Sequence, residues 1–123
     1  MSMDGTRELV VVVTKGIDHE LSSVAFTVAN SGITSGLKVY AFLTSAAVDL
    51  VRKGAVDLTH VAPLEPLRAQ IAAFLRRGGT IWAAPACMKA RGYTRDDLLD
   101  GVELADSTAL SERILAGAAT LSF

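Results

Sequence analysis

Very few side chains in this sequence can carry covalent chemistry. Cys87 is the single cysteine, and His19 and His60 are the only histidines. A thiol reacts as its thiolate, so a cysteine becomes a nucleophile where positive charge or helix amides favour the anion. Cys87 follows Pro85-Ala86 and precedes Lys89 and Arg91. A lone cysteine in a small domain is most often a small buried hydrophobe. Three features move the expectation toward chemistry: the proline at a predicted strand end, the two nearby cations, and a short helix beginning near the thiol. Lys89 and Arg91 either steady the thiolate or are ordinary solvated charge. The chemistry open to such a thiolate is nucleophilic attack of the thiol–disulfide exchange type. It needs no metal and no cofactor.

The other polar residues offer less. His19 falls in the first turn of a predicted helix and reads as surface. His60 lies in a connection before Pro63, within reach of a sheet edge. No spacing motif makes either one the base of a Cys-His pair. One cysteine and two distant histidines also make a poor zinc site. Asp96, Asp97 and Asp100 read as turn and cap residues. Gly32-Ile33-Thr34-Ser35-Gly36 follows a helix instead of joining a strand to one, so it is not a phosphate loop. Thr14-Lys15-Gly16 reads as a plain strand-to-helix turn that has room for a small anion.

The elements that must position Cys87 follow from hydrophobic pattern. Residues 8–14 hold the run Leu9-Val10-Val11-Val12-Val13. Such an unbroken β-branched run is the pattern of a strand buried on both faces, as in a parallel sheet. Asp18 is placed to cap a helix with Leu21, Val24, Ala25 and Val28 on its buried face, closed within residues 30–36. Residues 37–43 are a second strand. Thr44 or Ser45 caps a short helix with Val48 and Val51 that stops at Gly54. Pro66 marks the first turn of a helix with the stripe Leu67, Ile71, Phe74 and Leu75, ended by Gly78-Gly79. Residues 80–84 are a third strand, with Trp82 in core or subunit-interface packing. Thr94 caps a polar turn, 102–105 is a short strand, and Asp106 or Ser107 caps a helix bearing Leu110, Ile114 and Leu115. Residues 118–123 are the last strand. Helices and strands alternate, so the expectation is α/β: a mainly parallel sheet of about five strands covered by helices on both faces. Ligands of such sheets bind at the carboxyl ends of the strands. That edge gathers Thr14, Lys15, Thr44, Ser45 and Cys87.

Composition bounds the rest. A length of 123 residues, half of them hydrophobic, fits one domain spanning 1–123 with a substantial core. Twelve basic residues against 13 acidic ones leave no excess for binding nucleic acid. The apolar run at residues 9–13 is too short for a signal core or membrane span, and residues 1–8 are polar, so the expected location is the cytoplasm. One cysteine excludes an intramolecular disulfide, in keeping with a reducing compartment. The mean hydropathy of +0.38 is high for so short a chain. It points to an apolar patch buried by self-association.

The segment from Trp82 to Ala105 carries a more specific signal. A strand delivers Pro85-Ala86-Cys87, followed by Lys89-Ala90-Arg91-Gly92, an acidic turn, and Gly101-Val102-Glu103. This resembles the cysteine segment of the DsrE/DsrF-like proteins. The first strand with Thr14-Lys15-Gly16 and the closing Thr120-Leu121-Ser122-Phe123 are compatible with that family. The resemblance implies a three-layer α/β/α domain that assembles into homotrimers or hexamers. It also implies a sulfur carrier that holds a persulfide on Cys87, taken from a donor protein and passed to an acceptor. Many close relatives carry a further cysteine two residues before the proline-framed one's alanine neighbour, in a Cys-Pro-x-Cys arrangement; here that position is Ala84.

Three functions are therefore in view: a one-cysteine sulfur carrier, a non-catalytic oligomeric binding or scaffold protein of the same fold, and a redox-sensing thiol protein whose cysteine forms a sulfenic acid.

Overall fold

The computed structural model describes residues 6–123. Residues 1–5, part of the polar leading stretch, lie outside the described residues. Five strands form one all-parallel sheet in the order β4-β3-β2-β1-β5: β1 is Glu8–Val13, β2 Lys38–Leu43, β3 Thr80–Ala83, β4 Glu103–Leu104 and β5 Ala119–Ser122. The helices are α1 (Glu20–Thr34), α2 (Leu67–Arg76), α3 (Pro85–Ala90) and α4 (Ser107–Leu115), with 3-10 turns at Ser45–Val51 and Arg95–Asp97. Among the described residues no helix is long and apolar enough to cross a membrane.

Side-chain alternation along the central strands divides the apolar residues into two layers. Leu9, Val11, Val13, Val39, Ala41, Leu43, Ile81 and Ala83 point into a core shared with α1, α2 and the Ser45–Val51 helix. Val10, Tyr40, Phe42 and Trp82 point to the opposite face, where Ala109 and Leu110 of α4 pack on them. The architecture is thus the expected three-layer α/β/α arrangement. Its two outer layers are unequal. The first holds fully buried Phe26, Leu67, Ile71 and Phe74, whereas α4 buries none of its residues completely. On that second face Trp82 stacks on Tyr40, with ring centroids 4.8 Å apart.

Several local expectations change. His19, not Asp18, caps α1: its Nδ1 accepts from Leu21 N at 3.1 Å. Asp18 lies inside the turn closed by His19 N donating to Gly16 O. The buried face of α1 is Ser22, Ser23, Ala25, Phe26, Ala29 and Gly32; of the expected residues Ala25 is on it, while Leu21, Val24 and Val28 are only partly buried. Small residues face the sheet because the helix sits close upon it. A Cβ on Gly32 would stand 3.0 Å from Val39 Cγ2 and 3.3 Å from Leu9 Cδ2. Pro66 stands at the N-cap of α2, one residue before its first turn, and Gln70 replaces Leu75 in the buried stripe. Asp106 is the cap of α4, accepting from Thr108 N at 2.9 Å.

The turn from α2 into β3 sets where β3 begins, and so where Cys87 is delivered. Phe74 packs edge-on against Phe26 at 5.7 Å, and its ring lies where a side chain on Gly79 would go, 2.5 Å from an ideal Cβ. A fully buried ring wedged against a second ring cannot swing aside. Gly79→Ala should therefore destabilise the fold by about 1–3 kcal/mol through overpacking. Urea unfolding measures this, and a variant as stable as the parent would show that the ring has room to give.

Candidate functional site around Cys87

Parallel register brings the site together. Leu43 of β2 pairs with Ala83 of β3, and Ala84 N donates to Leu43 O at 3.0 Å. The two strands therefore release their chains side by side at the carboxyl edge. After β2 the chain passes through Thr44 into the Ser45–Val51 helix. After β3 it passes through Ala84 into α3, whose first residue, Pro85, has no N–H to leave unsatisfied. Cys87 is the third residue of α3, partly buried and packed against both apolar layers. Its neighbour Met88 is buried and anchors the helix.

The sulfur meets a backbone amide and a hydroxyl from the other strand's exit. Ser45 N–H donates to Cys87 Sγ at 3.2 Å, and Thr44 Oγ1 lies 3.5 Å from the same sulfur. Ser45 has φ +54°, in the left-handed region that a residue with a side chain adopts at a cost of about 1–2 kcal/mol. The strained residue is the one whose amide faces the sulfur, and strain of this kind gathers at functional sites. The thiol is held below its ordinary pKa. The Thr44 hydroxyl is the main cause and the Ser45 amide the next, partial burial opposes them, and the Arg91 charge adds a smaller pull. The arrangement favours an accessible thiolate, the form that attacks sulfur.

The other expected residues divide. Thr44 and Ser45 are at the thiol. Arg91 is near it but engaged: Nε pairs with Asp49 Oδ1 at 3.2 Å and Nη1 donates to Cys87 O at 3.4 Å. Lys89 is exposed and is not among the groups that shift the thiol. Thr14 is turned to the last strand, its Oγ1 donating to Phe123 O at 2.8 Å. Lys15 is exposed, and its carbonyl accepts from Ser22 Oγ. His60 bonds to Leu64 O within its own loop, and Asp97 accepts from Thr94 N at 2.7 Å as the partner of the N-cap Thr94 in a capping box. Among the described residues no three His, Cys, Asp or Glu side chains gather to hold a metal ion. Clefts of about 460 and 570 Å³ open between α1 and α2 and at the amino edge beside Glu8 and Arg113, and Cys87 lines neither.

Asp49 is the residue that sequence reasoning missed. It accepts from Tyr93 Oη at 2.6 Å as well as from Arg91. Tyr93 is held above its usual pKa, first by that hydrogen bond and then by burial and the Asp49 charge. Nothing in the spacing of residues 45–51 marks Asp49, because its partners lie more than forty positions away.

The depressed thiol pKa has a sign. It stabilises the fold above the pKa of the unfolded thiol, and that gain is lost as pH falls through the folded value. Thr44→Val removes the hydroxyl and should raise the midpoint of the pH–alkylation profile of Cys87 by about half to one pH unit, the worth of one hydrogen bond. Ser45→Gly keeps the amide and should leave the midpoint in place. An unmoved midpoint in Thr44→Val would show that the hydroxyl does not serve the thiolate.

Solved structures share this fold. The ychN protein from E. coli superposes with a TM-score of 0.79 at 20% identity, over 96% of this chain and 100% of that one. A protein of unknown function, MTH1491 from Methanobacterium thermoautotrophicum, gives 0.75 at 15% identity over 96% and 99%. BT1422 from Bacteroides thetaiotaomicron, likewise of unknown function, gives 0.65 at 21% over 100% of both chains. No curated protein matches the sequence. The family model that does match spans residues 7–123, nearly the whole chain, and on that match the protein belongs to the DsrE/DsrF-like family.

Proposed function

We propose that this protein is a sulfur carrier that accepts sulfane sulfur on Cys87 and hands it to a partner thiol. The observation that carries the reading is the Ser45 N–H and the Thr44 hydroxyl converging on Cys87 Sγ, both of which donate once the sulfur is a thiolate. In the first step the Cys87 thiolate attacks the terminal sulfur of a donor persulfide. A new S–S bond forms on Cys87, the donor's S–S bond breaks, and the donor leaves as a thiolate with the bonding electron pair. In the second step an acceptor thiolate attacks the outer sulfur and Cys87 leaves as its thiolate. Both are exchange reactions in which no net electrons are gained or lost. A leaving group of lowered pKa departs faster, so the same two donors serve loading and unloading. With Ala84 in place of a second cysteine, the chain cannot release the sulfur by closing its own disulfide. The accepting thiol therefore belongs to another molecule, such as a partner protein, and the reducing cytoplasm is the compartment that suits the exchange.

Self-association belongs to the same proposal. Leu104, Ile114, Leu115 and Leu121 are exposed, Leu115 by 88%, and they lie on β4, α4 and β5. Isolated exposed leucines are ordinary, but several gathered on the two edge strands and the outside of α4 call for a cover. A trimer or hexamer of this chain supplies it. The same apolar surface favours a second reading, an oligomeric scaffold in which Cys87 has no required chemistry.

Incubation with a persulfide donor followed by mass spectrometry should add sulfur to Cys87 in the wild type and none in Cys87→Ser. Absence of uptake, with a reactive control thiol loaded in parallel, sinks the carrier reading; partner binding that survives Cys87→Ser favours the scaffold. Light scattering should show an oligomer at micromolar concentration that Leu115→Asp breaks into monomers. A wild type that is already monomeric contradicts self-association.

A further inference from the structure

Two short helices meet at the carboxyl edge, and their contacts form a ladder. Ser45 and Asp49 are four residues apart in one, and Cys87 and Arg91 are four apart at the end of the other. The first rung is Ser45 N–H to Cys87 Sγ at 3.2 Å. The second is Arg91 Nε to Asp49 Oδ1 at 3.2 Å. Beyond α3 the chain turns at Gly92, φ +73°, and Tyr93 comes back to give Asp49 Oδ1 a hydrogen bond of 2.6 Å. Tyr93 N donates to Met88 O at 3.0 Å, tying this return to the buried part of α3. Arg52 lies 5.7 Å from the Tyr93 ring centre and completes the cluster. One carboxylate oxygen thus holds two groups from the α3 segment, one turn along from the sulfur.

We infer that Asp49 is a positioning residue for Cys87: through Arg91 and Tyr93 it clamps α3 against the Ser45–Val51 helix and keeps the sulfur on the Ser45 amide. The inference rests on the reading of Cys87 as the sulfur acceptor, and it adds the device that aims it. The rung matters because α3 is six residues long and buries only Met88. So short a helix is weakly fixed by its own hydrogen bonds and depends on tertiary contacts for its place. Arg91, held by Asp49, also reaches back to Cys87 O, so the guanidinium braces the helix that carries the thiol.

The sign of one measurement separates this role from simple electrostatics. The groups that bear on the thiol are the Thr44 hydroxyl, the Ser45 amide and the Arg91 charge, against partial burial. If Asp49 acted only as a nearby negative charge, removing it would make the thiolate easier to form. It would also free Arg91 to approach the sulfur. Both effects lower the thiol pKa. If Asp49 is a clamp, its loss releases the sulfur from its donors and the pKa rises.

The test is the pH profile of Cys87 alkylation by iodoacetamide on the full chain, with thermal unfolding as a folding control. The midpoint is read instead of the rate at one pH, because a thiolate grows more nucleophilic as its pKa rises. Asp49→Asn should move the midpoint upward by about half a pH unit or more, roughly a threefold fall in thiolate fraction below it. Tyr93→Phe, which removes one hydroxyl, should move it the same way by less. A midpoint unchanged or lowered in either folded variant overturns the clamp; if Asp49→Asn does not fold, Tyr93→Phe decides. Failure of wild-type Cys87 to take up sulfur would sink the carrier function while leaving the midpoint shift intact. Normal uptake with unmoved midpoints would sink the clamp alone.

Discussion

The parallel pairing of β2 with β3 is the constraint on which the site depends. Parallel strands run the same way, so both must let their chains go at one edge of the sheet. The register then fixes who meets whom. With Leu43 opposite Ala83, Thr44 and Ser45 leave beside Ala84 and the start of α3. A slip of one residue would turn Leu43 and Ala83 out of the core and carry Ser45 away from Cys87. The cost of exposing that core guards the register, and the register guards the thiol's hydrogen bonds. Packing stability and site geometry are thus one constraint seen from two ends of a strand.

At that edge the means of stabilising a thiolate are short-range. Charge plays a lesser part than proximity to Arg91 and Lys89 in sequence would lead one to expect. The nearer cation is paired with Asp49 and the other is exposed. What remains is a hydroxyl and a backbone amide, both within 3.5 Å of the sulfur. Hydrogen bonds of this kind are directional and little screened by salt, whereas exposed cations beyond a Debye length are largely screened. They also leave the outer side of a partly buried sulfur free for another molecule. A thiol buried deeply enough to be shielded would instead have its anion penalised by desolvation.

The two faces of the sheet divide the work differently. α1 and α2 bring large buried side chains and small close-packed ones to the first face. The connection from β4 to β5 must cross from one edge of the sheet to the other, past three strands. The nine residues of α4 cannot cover that width, so the aromatic layer of Tyr40, Phe42 and Trp82 is roofed by a short helix. Arg113 helps to hold it, pairing with Glu8 at 3.1 Å, while Glu8 accepts from Tyr40 Oη. Ile114 and Leu115 stay exposed on the outside of α4, and Leu121 of β5, level with Val11, is exposed at the sheet edge on the α1 and α2 side.

The same physics explains what the sequence disclosed. The strands were legible because burial on both faces leaves a continuous run such as Leu9 to Val13, and Cys87 was legible as an edge residue because parallel strands share an edge. Thr44 and Ser45 followed from that placement. The facing of α1 was not legible by hydrophobicity, since close approach to the sheet selects Ala25, Ala29 and Gly32 over bulkier neighbours. Nor was the left-handed backbone of Ser45, which a glycine or asparagine would have announced. Asp49 was hidden for a deeper reason. Capping and turn motifs act within a few residues and so leave local patterns, as Thr94 with Asp97 does. A carboxylate that joins residues 91 and 93 to a helix more than forty positions earlier leaves none. What a sequence shows most readily is the scaffold's periodicity; the contacts that tune a reactive group are made between elements, where periodicity has nothing to say.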